Sequence, residues 1–202
     1  MNQDNPKTIY DMNGFPPELY QVTYSPEGGS GMARAAKELI SRETEYDSSW
    51  GIDHGTWSVL VRMYPEKDMP VFQISIDSQA SPQEHYQIGK ELRALRESGV
   101  LIFGTGNIVH NLRLLDWNKA EQGFDWAYEF DDYIYDNIMK HNRANVINFD
   151  GGGSSAKLAV PTPDHFYLLL YVLGAVDDDS KVNVYNKACE LGSVTMTTYL
   201  WE

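Results

Sequence analysis

The sequence predicts an α/β fold: a single three-layer domain over residues 1–202, with a central mixed sheet and helices on both faces. Three observations predict it. Short β-rich apolar runs alternate with stretches of helical period. The helical stretches open on capping signals. Gly-rich loops follow the ends of the apolar runs, where open α/β sheets gather ligands.

Residues 1–30 are rich in Pro, Gly, Asn and Tyr and read as irregular, with Gly14-Phe15-Pro16-Pro17 as a turn. Residues 32–42 have helical composition, and 47–55 form a polar loop ending in Asp53-His54-Gly55. Residues 71–76 alternate and are β-rich, which predicts a strand. Ser81-Pro82-Gln83-Glu84 is a strong helix start, combining a Ser cap, a Pro in the first position and a capping-box Glu. Ile88, Leu92 and Leu95 then share one face until Gly99. Residues 100–103 (Val-Leu-Ile-Phe) read as a buried strand running into the loop Gly104-Thr105-Gly106-Asn107. Residues 124–140 predict a long amphipathic helix heavy in aromatics, and 150–155 a Gly/Ser loop. Thr162-Pro163-Asp164 caps a further helix ending at Gly174, and 182–185 and 193–200 close the fold as strands.

The bulk numbers narrow the function classes. With 42% apolar and 12% aromatic residues the composition is globular. A net charge of −13 repels phosphate backbones and anionic lipid, so neither nucleic acid nor membrane is an expected partner. One cysteine, Cys189, forms no internal disulfide and reads as a buried apolar residue. No apolar run reaches membrane-spanning length, and the first residues are polar and acidic, unlike a targeting peptide; a cytoplasmic protein is expected.

Five histidines carry the possible chemistry. His54 sits in Asp53-His54-Gly55-Thr56-Trp57. His110 follows a strand end and a Gly-rich turn. His165 opens a helix, in Thr162-Pro163-Asp164-His165-Phe166. Three imidazoles at strand ends and helix starts are placed to meet in one cleft, where imidazole ligates Zn or Fe or moves protons near neutral pH. His85 reads as a solvated helix position, and His141 as a cation favouring a helix C-terminus. Gly151-Gly152-Gly153-Ser154-Ser155 lacks P-loop spacing to Lys157 and reads as a flexible loop.

Together these segments resemble the 4,5-DOPA extradiol dioxygenases, a branch of the class III, LigB-type ring-cleaving enzymes. The matching stretches are Thr8-Ile9-Tyr10-Asp11 with Gly14-Phe15-Pro16-Pro17-Glu18-Leu19-Tyr20, Asp53 to Trp57, Gly106-Asn107-Ile108-Val109-His110-Asn111-Leu112-Arg113, Trp126-Ala127 with Glu129-Phe130-Asp131, and Thr162-Pro163-Asp164-His165-Phe166-Tyr167. They cover nearly the whole chain, in order. The resemblance implies a phosphorylase/hydrolase-like three-layer fold and cleavage of a catechol, such as L-DOPA, by O2 at a non-haem Fe(II) or Zn(II) centre. It implies that His165 is a metal ligand, that His110 is a ligand or the base taking a catechol proton, and that His54 is a catalytic acid/base. The roles of His110 and His165 are interchangeable at this level. The family pattern opens with a strand and a His-Gly-Ser-Pro loop and later carries a Ser-Ala-His-Trp strand end. The chain starts after both, so the expectation is a sheet missing its first strands, weak metal binding and little turnover. Two alternatives are a non-enzymatic scaffold that keeps this fold and a zinc hydrolase using His-held water.

Overall fold

The computed structural model describes residues 3–202 and divides the chain into two compact units, Met1–Ser75 and Ile76–Glu202. In the first unit, helix α1 spans Ser30–Leu39 and α2 spans His54–Met63. Asp53 caps α2 by accepting the Thr56 N–H at 3.0 Å. The sequence pattern put His54 in a loop; the cap makes it the first helical residue. A short parallel bridge, Thr8↔Ile52, holds the N-terminal segment beside this helix start. Ile9 N–H donates to the Ile52 carbonyl at 2.9 Å, and Trp57 Nε1–H donates to the Ile9 carbonyl at 3.0 Å. Met12, Tyr24, Ile52, Trp57 and Leu60 are buried together beneath.

The second unit is mainly helical: α3 (Pro82–Leu92), α4 (Ala94–Glu97), α5 (Asp125–Met139), α6 (Arg143–Ile147), α7 (Gly153–Ala159) and α8 (Tyr167–Ala175). The capping box at Ser81 forms as expected, with Glu84 N–H donating to Ser81 Oγ and Ser81 N–H to the Glu84 carboxylate. Four strands follow: β1 (Val182–Tyr185), β2 (Cys189–Glu190), β3 (Val194–Thr195) and β4 (Thr198–Trp201). They pair antiparallel, β1 with β4 and β2 with β3. The core gathers Val109, Phe130, Ile134, Val146, Ala159, Phe166 and Leu170, all at 0–1% exposure. Each large apolar side chain so buried contributes about 1.5–3 kcal/mol.

Helices α3 and α8 cross as bare backbones. A Cβ on Gly89 would run into the Tyr171 carbonyl oxygen, and one on Gly174 into that of Tyr86. Only glycine permits so close an approach.

The structure departs from the sequence pattern in further places. Helix α8 starts at Tyr167, so His165 lies in the turn before it rather than in the helix. Residues 72–77 form no strand ladder among the described residues; only Val71 makes a bridge, to Gly28. Residues 100–107 likewise form no ladder among the described residues, and Leu101 and Phe103 are 47% and 40% exposed rather than buried. A strand needs a neighbour's carbonyls and amides as well as its own pattern. So the described residues form a mixed α/β structure with two small antiparallel ladders and no central mixed sheet. The Gly/Ser stretch at 150–155 is helical, a 3-10 turn (Phe149–Gly152) running into α7. His85 is fully buried: its Nδ1 lies 2.8 Å from the Ser81 carbonyl, and its ring packs on Tyr167 and Tyr171. Cys189 is buried, as its apolar reading expected. No helix among the described residues is long and apolar enough to cross a membrane.

Candidate metal centre

In the second unit, residues 107–111 form a strap between α7 and β3. His110 N–H donates to the Ala159 carbonyl at 2.9 Å, and His110 bridges Val194 antiparallel. Val109 N–H donates to the Thr195 hydroxyl at 3.1 Å, and Thr195 N–H to the Val109 carbonyl at 3.1 Å. Asn111 extends the clamp by donating through Nδ2 to the Leu158 carbonyl at 2.7 Å. The approach to the strap lies against the turn before α8: a Cβ on Gly106 would strike the His165 carbonyl oxygen.

This clamp and the turn bring two of the sequence-predicted residues together. The His110 and His165 rings stack with centroids 3.4 Å apart and planes 12° from parallel. Asp164 joins them: one donor atom from each of His110, Asp164 and His165 lies within 4.8 Å of the others. Two donors on one zinc or iron ion stand at most about 4.2 Å apart, so this group is close to the span an ion requires. Two imidazoles with one carboxylate are also a donor set suited to non-haem iron or zinc. The residues therefore fit such a metal.

The electrostatics follow from burial and neighbours. Loss of hydration lowers the His110 pKa, with the Asp164 carboxylate pulling the other way. Burial alone would raise the Asp164 carboxyl. The Thr162 hydroxyl, its own backbone N–H and the two histidines more than offset this, so it lies below the usual carboxylate value. Both shifts favour ligand-competent forms, neutral imidazole and ionised carboxylate.

His165 is further held by Asn107, whose Oδ1 lies 3.0 Å from its Nδ1. Asn107 in turn donates through Nδ2 to the Thr195 carbonyl at 2.7 Å.

His54 lies in the first unit, at the start of α2. Asp11 Oδ1 accepts the His54 backbone N–H at 3.0 Å and sits 2.8 Å from His54 Nδ1. Burial would raise the Asp11 carboxyl, but these two bonds to His54 lead the effects that lower it. Asp11 is thus an ionised acceptor, His54 Nδ1 is the donor, and the other ring nitrogen is left for other work. Of the other two histidines, His85 is a core residue, and His141 follows α5 in a left-handed conformation, φ 54°.

Sequence reasoning did not single out Asp11, Asn107 or Asp164. Each lies in a stretch that carried the family resemblance, and that was the available signal. Their partners sit elsewhere in the chain, except for Asp164 beside His165.

Residues 1–200 match the family model described as the catalytic LigB subunit of aromatic ring-opening dioxygenase. A 4,5-DOPA dioxygenase extradiol of Escherichia coli (strain K12) is 37% identical over 201 residues, covering 96% of this chain and 73% of that protein. The protein of the same name from Beta vulgaris is 33% identical over 197 residues, covering 95% and 73%. The crystal structure of an uncharacterized Escherichia coli K12 protein superposes with a TM-score of 0.81 at 32% identity, covering 96% of this chain and 80% of that one. The chain belongs to the LigB family of aromatic ring-opening dioxygenases.

Proposed function

We propose that this protein is an extradiol dioxygenase that opens a catechol ring, L-DOPA being the first substrate to try, with O2 as co-substrate. The observation that carries the reading is the stacked His110–His165 pair with Asp164 beside it. Relatives named 4,5-DOPA dioxygenase extradiol at 30–37% identity support the substrate class. The TM-score of 0.81 to a solved structure supports a shared fold; a three-layer architecture, with residues 1–202 acting as one catalytic domain, is part of the same proposal.

His165 and His110 would hold a non-haem Fe(II) or Zn(II), with Asp164 as a third donor from this chain. Bound there, the metal would supply Lewis acidity and bring catechol and O2 into one reacting complex. The alternative role for His110, in place of ligation, is that of a base: burial lowers its pKa, which favours the neutral imidazole able to take a proton from a catechol hydroxyl. His54, oriented through Nδ1 by Asp11, is assigned proton transfer at its other nitrogen in the same reaction. The formal charge of −13 fits a small-molecule partner better than a polyanion.

The test is oxygen uptake by the purified protein with L-DOPA and excess Fe(II), followed together with loss of the catechol spectrum. Oxygen consumption is expected to depend on both additions and to vanish in His165→Ala. A folded protein that consumes no oxygen at any iron loading overturns the reading.

A further inference from the structure

We propose that Thr195 is a positioning residue whose hydroxyl stands in for a backbone carbonyl, so that this one residue holds both the strap carrying His110 and the amide facing His165. The proposal rests on the dioxygenase reading only for what the paired rings receive.

The ladder between the strap and β3 dictates where each bond should go. His110 and Val194 form an antiparallel bridge, with Thr195 N–H donating to the Val109 carbonyl and Asn111 N–H to the Ser193 carbonyl, both at 3.1 Å. Val109 and Thr195 therefore stand opposite each other, where an antiparallel pair exchanges two N–H···O bonds. Only one of the two runs between backbones. The return bond from Val109 N–H goes to the Thr195 hydroxyl at 3.1 Å, while the Thr195 carbonyl takes the Asn107 side-chain N–H at 2.7 Å. A carbonyl only accepts, so Asn107 turns its amide nitrogen to Thr195 and its oxygen to His165 Nδ1, 3.0 Å away. The hydroxyl thus satisfies a buried N–H and leaves the carbonyl to anchor Asn107. Val109 is 0% and Thr195 2% exposed, so bulk water does not replace either partner. Without the hydroxyl, Val109 N–H has only the Thr195 carbonyl to turn to, and reaching it pulls the strap toward the atom that Asn107 already holds. Both imidazoles hang on this residue, His110 through its neighbour's backbone and His165 through Asn107, and their rings stack 3.4 Å apart. Valine has the shape of threonine without the hydroxyl; serine keeps the hydroxyl without the methyl.

The test reads ring stacking by NMR in metal-free protein with labelled histidines. Face-to-face rings shield each other's hydrogens, so the ring signals of His110 and His165 are expected upfield of those of an unfolded chain. In folded Thr195→Val both sets are expected to move toward the unfolded values, and the Zn(II) dissociation constant to rise about 10–100-fold, the usual cost of losing a group that orients a ligand. Thr195→Ser is expected to keep the shielded signals and the affinity. Ile147→Val trims a buried side chain of α6 and serves as the reference for lost stability; it is expected to change neither readout. Unmoved ring signals in Thr195→Val overturn the proposal, as does equal movement in Ile147→Val. If Thr195→Val does not fold, Thr195→Ser decides: shielded rings there support the proposal, and unshielded rings show that the methyl rather than the hydroxyl does the holding and overturn it. Ring signals that behave as expected in a protein that consumes no oxygen sink the dioxygenase reading alone. Catechol cleavage by a protein whose ring signals ignore Thr195→Val sinks this one alone.

Discussion

His54 and His165 are each held through Nδ1, but by partners of different electrical character. At His54 the partner is the ionised carboxylate of Asp11, at a surface where the imidazole is 43% exposed. At His165 it is the neutral amide of Asn107, on a ring 31% exposed and backed by a buried threonine. A carboxylate orients an imidazole and sets a full negative charge beside it. An amide orients the ring without adding charge. The two partners thus divide the proposed roles, His54 for proton transfer and His165 for metal.

The sharpest way to break this division is a pair of variants. His165→Ala is expected to lose the metal, read as metal content after dialysis. His54→Ala is expected to keep it and lose about 10²–10⁴-fold in kcat, the usual worth of a general acid or base. Metal loss in His54→Ala with retention in His165→Ala reverses the assignment.

The two anchors also differ in what lies beneath them. Thr195→Val would leave the fully buried Val109 N–H without its acceptor, at a cost of about 1–3 kcal/mol in denaturant-measured stability. Asp53→Ala removes the cap of α2, together with the acceptor for Trp50 Nε1 and Gln73 Nε2, and the cap itself is expected to cost about 1 kcal/mol. Equal losses would mean that the strap at 107–111 is no more deeply held than a helix end.

The smallest effect concerns a carboxylate with no place in either role. Asp131 on α5 is 3% exposed and accepts from the Thr197 hydroxyl at 2.8 Å. Burial drives its pKa above the ordinary 3.8, against the pull of the Thr197 and Thr195 hydroxyls. The folded protein therefore holds this proton after the unfolded chain has released it. Its contribution to stability falls as pH rises from near 3.8 through the folded pKa, and is level above that. Asp131→Asn should remove this fall, so its stability relative to wild type should improve with rising pH across that window. A parallel pH dependence in both proteins would show that Asp131 does not titrate as its burial dictates.

Local signals were legible, and distant ones were not. The Ser81 box and the aromatic face of α5 are written within a few consecutive residues, and both helices formed where they were expected. Residues 71–76 and 100–103 also look like strands, but a ladder depends on a partner elsewhere in the chain, and among the described residues these segments make no ladder beyond the single bridge at Val71. The histidine motifs marked His54, His110 and His165 as candidates. Their partners were hidden by separation: Asp11 is 43 residues from His54, and Asn107 is 58 from His165. His85 was misread because one helical turn of sequence does not show the tyrosines of α8 that cover it.

The glycine crossing of α3 and α8 reaches the turn that carries Asp164 and His165. Gly174 lies nine residues beyond His165, or about 13 Å along a helix. Backbones in contact leave no side chain there to absorb a change, so an added methyl must push the helix as a rigid lever. Its far end is the turn that carries Asp164 and His165. Alanine at position 174 would thus retune the spacing of the donor atoms while touching none of them.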